Sequence, residues 1–397
     1  MTLNPKSAIN ISSLPKVHCF GCTACVSICP LDCIHIITDR EGFNYPSVDE
    51  EVCNACRKCV RVCPGFNDLN REKYNPEPKF FGGFHQGDQI RVNSSSGGFF
   101  SACAEEILSQ GGTVYGAVYD FEQMVVVHAR TSSRENLNAM RKSKYVQSNT
   151  RGVFEQVKED LQANLPVLFT GTPCQVEGLN LYLGSRHRNL FTIDLVCHGV
   201  PSPGLFTSHF LKRQDQLGSS ITKIDFRTKD KGWGGALNFF LKVESIDREV
   251  LTFAPLDAYY AMFLANLSLR PVCYQCKFAS TQRVGDITLG DFWGVQKEHP
   301  ELFDSKGTSL ILVNTEKGQR MLMDIQGDVL LQALDAPNPL PPNLVKPTPK
   351  PGLRKSFLSS IHFENWGNQR TWKHILALGV LVKNKIFQGI KALLGLN

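Results

Sequence analysis

The sequence contains no apolar run approaching the roughly 18 uninterrupted residues that a membrane-spanning helix needs, the nearest being the short stretch Ile375–Val382. It also lacks a positively charged leader with an apolar segment at its amino end, so the chain is expected to be cytoplasmic, neither secreted nor membrane-spanning. Acidic residues are nearly missing from one region: between Pro342 and Asn397 there are nine Lys or Arg and one carboxylate, Glu364. The net charge of +6 is therefore concentrated in this tail. No recognised nucleic-acid-binding module accompanies it, and nucleic acid is excluded as a partner.

What is abundant is cysteine. Fourteen cysteines in a chain read as cytoplasmic serve metals more readily than disulfides. At 397 residues, 42% of them hydrophobic, there is material for two or three domains with a sizeable core.

Cys19, Cys22, Cys25 and Cys29 recur 34 residues later as Cys53, Cys56, Cys59 and Cys63, each series ending in proline (Pro30, Pro64). Each copy has the C-x2-C-x2-C-x3-C-P spacing of bacterial two-cluster ferredoxins, in which three cysteines wrap one 4Fe-4S cluster and the fourth reaches the other. The expected ligand sets are crossed: Cys19, Cys22, Cys25 and Cys63 for one cluster, Cys53, Cys56, Cys59 and Cys29 for the second. Zinc sites pair two C-x2-4-C units and do not call for such triplets. Cys33 lies outside the pattern and is expected to pack beside the clusters, as Cys103 is expected to pack in a core.

Beyond residue 80, apolar runs such as "TVYGAVY", "VVVHAR", "PVLFTGT" and "LFTIDLV" alternate with amphipathic stretches such as "GFFSACAEEILSQ" and "GVFEQVKEDLQAN". This predicts a larger α/β domain with a mostly parallel or mixed sheet, following an α+β ferredoxin-like two-cluster domain. The expected boundaries are 14–70 for the ferredoxin domain, 80–336 for the α/β domain and 337–397 for the rest. That last part comprises a proline-rich strap and, from Thr371 to Leu396, a basic amphipathic helix. The helix could contact an anionic membrane surface peripherally, dock on a partner, or pack on its own domain.

Several motifs of the α/β domain are candidates for ligand binding. "SSSGGFF" (94–100) opens a helix with serine hydroxyls, glycines and free N–H groups suited to a phosphate; because it is neither G-x-G-x-x-G nor a P-loop, spacing alone favours a plain serine N-cap with a glycine turn. "RKSKYVQS" (141–148) gathers cations that could hold a flavin's phosphates, or merely face solvent. "FTGTPCQVEGL" and "DLVCHGVPSPG" each place a cysteine just past an apolar run, where ligands of open α/β sheets gather. With Cys273 and Cys276 of "CYQC", Cys174 and Cys197 make four, the number a third 4Fe-4S cluster requires; zinc, or simply buried thiols, are the alternatives.

Taken in order, the ferredoxin unit, "SSSGGFF", "SKYVQS", "GTPCQ", "CHGVPSP", "CYQC" and "GDFWG" (residues 16 to 355) resemble the beta subunits of coenzyme F-420 (8-hydroxy-5-deazaflavin) hydrogenases and dehydrogenases. The resemblance implies an oxidoreductase whose large domain binds FAD, between single-electron clusters and a deazaflavin coenzyme or another small oxidised substrate. Ferredoxin or a dehydrogenase or hydrogenase subunit would be the electron partner. It further implies cofactor contacts at Ser95, Ser96, Gly97, Gly98, Ser143, Lys144, Tyr145, Gln147, Thr172, Pro173, Gln175 and Gly199. His198 is a candidate for proton transfer, the alternative being a histidine that satisfies its own turn. An electron-transfer subunit without a substrate of its own is the competing expectation.

Overall fold

The computed structural model describes residues 9–69, 77–185, 187–234, 238–337 and 339–359. The basic helix expected over 371–396 lies outside these residues. Among the described residues no helix is long and apolar enough to cross a membrane.

The 34-residue repeat of cysteines is also a repeat of backbone. Short helices Ala24–Ser27 and Lys58–Arg61 each start behind a residue in the left-handed region, Thr23 (φ 57°) and Arg57 (φ 60°), and Gly21 (φ 70°) corresponds to Ala55 (φ 57°). Non-glycine residues adopt this conformation only where surroundings enforce it. Here it turns the chain sharply between successive cysteines. Strands β1 (Ile34–Thr38) and β2 (Asn44–Val48) pair antiparallel beside these turns.

The large domain is built on an eight-stranded sheet. Its strands are β3 (Lys79–His85), β4 (Thr113–Asp120), β5 (Val125–Thr131), β6 (Val167–Gly171) and β7 (Leu190–Leu195). A separate three-stranded antiparallel sheet follows, β8 (Ile221–Asp225), β9 (Phe240–Ser245) and β10 (Glu249–Phe253). The chain then returns to the large sheet with β11 (Ile287–Asp291), β12 (Ser309–Val313) and β13 (Val329–Leu334). The order across the large sheet is β13-β3-β12-β11-β7-β6-β4-β5, with a parallel centre, β11-β7-β6-β4, and antiparallel flanks. The sheet is thus mixed, one of the two forms expected. Central strands β6 and β7 are buried on both faces, as their unbroken apolar runs require.

One face of the large sheet packs the Phe99–Ser109 and Glu316–Asp324 helices, with Phe99, Cys103, Ile107, Met321 and Leu322 inward. The other packs the Val153–Gln162 and Pro173–Leu183 helices, and this second core also contains Phe20, Cys22, Ala24 and Val62. The cysteine-rich module therefore shares a core with the α/β domain. The proline-rich stretch contributes one 3-10 turn, Pro342–Leu344, with Leu344 buried. It ends at a short helix whose Arg354 pairs with Glu41 at 2.6 Å, strapping the β1–β2 hairpin to the large domain.

Candidate functional site

Folding gathers the twelve candidate cysteines into three groups. Cys22 and Cys25 are pushed well above the ordinary thiol range, first by burial and then by facing thiols: Cys63, Cys174 and Cys19 for Cys22; Cys22, Cys19, Cys63 and Cys59 for Cys25. Cys63 thus stands with the first triplet. Cys29, Cys53, Cys56 and Cys59 line one small cavity, with Cys33 at its wall. Cys33 is buried, its Sγ 3.4 Å from that of Cys29, and burial pushes it up to about 12.

The third group assembles at the carboxyl ends of adjacent parallel strands. β6 and β7 pair Gly171 with Asp194, so Cys174 and Cys197 emerge side by side at equal distance beyond them. Cys174 opens the Pro173–Leu183 helix, where Gln175 Oε1 accepts from the Thr172 amide and hydroxyl, both at 3.0 Å, and Pro173 occupies the first turn. Thr172, Pro173 and Gln175 are thus committed to the turn that aims Cys174. Cys273 and Cys276 come from the 3-10 turn Pro271–Gln275 and its end. Burial lifts Cys174 to about 12 and Cys197 to about 11, and Cys276 heads the thiols that raise each further. Cys273, lifted first by burial, faces Cys197, Cys276 and Cys174. Gly199 sits at φ +131°, and a Cβ there would lie 3.2 Å from the Cys273 Cβ, so glycine is needed for Cys273 to approach.

Neighbouring groups share cores: Cys25 and Cys63 pack in one with Cys59, and Cys22 in another with Cys174, Cys273 and Cys276. Among the described residues no three His, Cys, Asp or Glu side chains converge closely enough to hold a single metal ion. Buried thiols that repel one another become thiolates only when a cationic centre compensates them, and iron–sulfur clusters supply one. Four cysteines per group is the donor set such a cluster takes.

The motifs "SSSGG" and "SKYVQS" meet. Ser143 donates its amide to Ser95 Oγ at 2.7 Å; the Ser96 hydroxyl donates to the Thr308 carbonyl at 2.8 Å. Gly97 donates its amide to Ser309 Oγ at 3.0 Å, and a Cβ on it would lie 2.5 Å from the Gly83 carbonyl, so close packing on the sheet demands that glycine. Gly98, at φ +86°, opens the Phe99–Ser109 helix, which has no side-chain cap.

Around this junction stand cations, some of which periodicity could not reveal. Lys229 Nζ donates to the carbonyls of Arg91 (2.6 Å), Ser96 (2.7 Å) and Lys306. Lys144 Nζ donates to the carbonyls of Arg141 (2.8 Å) and Lys142 (3.2 Å). Burial pushes both lysines down to about 7. Arg227 pairs with Asp291 at 2.7 Å, donates to the Tyr145 hydroxyl at 3.3 Å and lies over the Trp293 ring. Trp293 stacks on Trp233, whose indole donates to the Ser95 carbonyl at 3.0 Å. Lys142 pairs with Asp225. Lys142 and Arg227 have carboxylate partners, whereas Lys144 and Lys229 bond only backbone carbonyls among the described residues, so an anionic occupant such as a flavin's pyrophosphate would compensate them once charged.

Other expected contacts serve the framework. Gln147 donates to the Phe20 carbonyl at 2.8 Å and accepts from Arg270 at 2.8 Å. Tyr145 stacks on Phe263 with ring centres 4.5 Å apart. His198 Nε2 is 2.6 Å from Asn266 Oδ1, its carbonyl accepts from Thr348 of the strap, and burial lowers its pKa, leaving it neutral near pH 7. A cavity of about 450 Å³, lined by Arg283, Asp286, Asn314, Thr315 and Lys317 among others, opens at the amino ends of β7 and β11 and contains none of the expected site residues.

Residues 166–337 match the family described as the C terminus of the coenzyme F420 hydrogenase/dehydrogenase beta subunit, and residues 18–66 match the 4Fe-4S dicluster domain. The chain thus carries the C-terminal domain of this beta-subunit family behind a 4Fe-4S dicluster domain. No curated protein matches it. Among solved structures it is similar, with 17% identity and a TM-score of 0.44, to a chain of the F420-reducing NiFe hydrogenase complex from Methanosarcina barkeri. That likeness covers 64% of this chain and 81% of the other and is too loose to carry any inference about ligands. The matched beta-subunit segment contains the third cysteine group entire, whereas Ser95–Gly98 and Ser143–Tyr145 lie outside both matched segments.

Proposed function

We propose that this chain is an iron–sulfur flavoprotein oxidoreductase of the beta-subunit family. Residues 14–70 would act as a two-cluster module, and residues 80–336 would hold a third cluster and FAD. The observation that carries this reading is that Cys22 shares one core with Cys174, Cys273 and Cys276, while Cys25 and Cys63 share another with Cys29, Cys53 and Cys59, so the three cysteine groups form one series. Bound clusters would supply one-electron steps and FAD their conversion to a hydride pair.

The chain's own residues would hold and screen that chemistry. Lys144, Lys229 and Arg227 would bind phosphate, with Ser95 to Gly98 and Ser143 forming the floor. Trp233 and Trp293 would close one side and keep water out. His198, neutral and clamped by Asn266, would orient its turn more readily than carry a proton. The substrate would be a deazaflavin coenzyme or another small oxidised molecule, with ferredoxin or a dehydrogenase or hydrogenase subunit at the far end. A subunit that only relays electrons to a partner is favoured by one observation: the Tyr145 ring is already packed against Phe226, Tyr260 and Phe263.

Anaerobic purification with iron, sulfide and flavin quantitation tests the proposal. About twelve irons and one FAD per chain are expected. Colourless protein that takes up neither after reconstitution would overturn it. Turnover of deazaflavin, nicotinamide or dyes by the purified chain separates the enzyme from the relay subunit.

A further inference from the structure

Five arginines are buried among the described residues: Arg91, Arg227, Arg270, Arg283 and Arg354. Four have a carboxylate within ion-pair distance, respectively Asp304, Asp291, Asp194 and Glu41. Arg270, with no exposed surface at all, has none among the described residues. A guanidinium cannot shed its proton in a protein, and leaving it buried without a counter-charge is costly. Something else must supply the negative charge.

The partners of Arg270 say where that charge lies. Nε donates to the Cys19 carbonyl at 2.7 Å and Nη2 reaches Cys19 Sγ at 3.3 Å. Nη1 donates to Gln147 Oε1 at 2.8 Å, and Nη2 also donates to the Asn44 carbonyl at 2.9 Å. The guanidinium lies over the Tyr45 ring, 4.4 Å from its centre. A Cβ on Gly21 would come within 2.7 Å of Nη1, so the loop between Cys19 and Cys22 is shaped around this side chain. Its backbone belongs to the other side of the boundary: the Arg270 carbonyl accepts from the Cys273 amide at 2.9 Å. Arg270 is also among the charges that act on Cys174.

We propose that Arg270 sets the reduction potential of the cluster held by Cys19, Cys22, Cys25 and Cys63, its guanidinium taking its counter-charge from that cluster at the joint with the third cysteine group. The proposal rests on the iron–sulfur part of the function proposed above. Each electron added to a cluster makes it one unit more negative, and a fixed cation against a ligand sulfur stabilises that reduced form.

The test is an EPR-monitored redox titration of the full chain, prepared anaerobically, as wild type, Arg270→Gln, Arg270→Lys and Gln147→Glu. In Arg270→Gln one cluster signal is expected to titrate at lower potential, its reduction equilibrium weakened about tenfold or more, equivalent to 59 mV for one electron. Arg270→Lys keeps the charge and should stay near wild type. Gln147→Glu gives Arg270 a carboxylate partner and should move the same signal downward. If Arg270→Gln does not assemble, Gln147→Glu decides. The inference falls if the signals in Arg270→Gln, or in Gln147→Glu, titrate within twofold of wild type, or if Arg270→Lys drops as far as Arg270→Gln. A wild-type chain without iron and sulfide would overturn the function itself, so the two failures are distinguishable.

Discussion

Lys144 and Lys229 are ammonium groups whose every hydrogen bond goes to a backbone carbonyl and whose burial brings them to about 7. Their unfolded value lies near 10.4, so between pH 7 and 10 the unfolded chain binds more protons, and the flavin-free protein should gain stability as pH rises through that window. Urea denaturation at pH 7 and pH 9 checks the sign. Flavin binding should run the other way, because an anion favours the charged lysines: FAD affinity of the apoprotein is expected to fall from pH 6.5 to pH 9. Lys144→Met should weaken FAD by roughly 10- to 100-fold, the usual worth of a charge-assisted hydrogen bond. Fluorescence titration of the apoprotein reads both effects.

The Pro173–Leu183 helix shows how one element serves two purposes. Its first turn, fixed by Thr172, Pro173 and Gln175, aims Cys174 at the third group. One turn on, Gly178 leaves room for the other module: a Cβ there would lie 2.9 Å from Cys22 Sγ. Gly178→Ala should therefore cost about 1–3 kcal/mol of stability by overpacking and should also disturb the cluster spectrum. Thermal unfolding and visible absorption of the anaerobic protein separate that outcome from a plain gain in helix propensity, which would stabilise and leave the spectrum alone. The β4 to β7 strands and the Phe99–Ser109 and Val153–Gln162 helices were legible in the sequence because alternating apolar runs and amphipathic stretches report burial directly. The antiparallel flanks and the separate β8–β10 sheet were not, since which strands pair depends on contacts distant in sequence.

At the scale of the molecule, the two modules read as separate domains along the chain, yet they are joined by a common core, by Arg270 and Gln147, and by Lys277, which follows Cys276 and donates to the Pro64 carbonyl at 2.5 Å. Such a joint should make loss of one cluster felt by its neighbour. Cys273→Ser is expected to remove about four irons per chain, leaving about eight, and to alter the magnetic interaction of the remaining clusters in EPR. Retention of all iron would mean that the third group holds none. The strap adds a further tie through Arg354 and Glu41, so Arg354→Ala should destabilise the β1–β2 hairpin by leaving the Glu41 carboxylate without its cation.

The spacing of eight cysteines was by itself enough to reveal the 4Fe-4S dicluster module, because thiolate ligation of a cubane demands short, fixed loops that local sequence must encode. What only the tertiary structure decided is the company those thiols keep: Cys174 in one core with Cys22, an arginine without a carboxylate partner among the described residues against Cys19, and the desolvated Lys229 behind Ser96. Charge balance and burial arise between residues more than a hundred positions apart, and no periodicity along the chain records them.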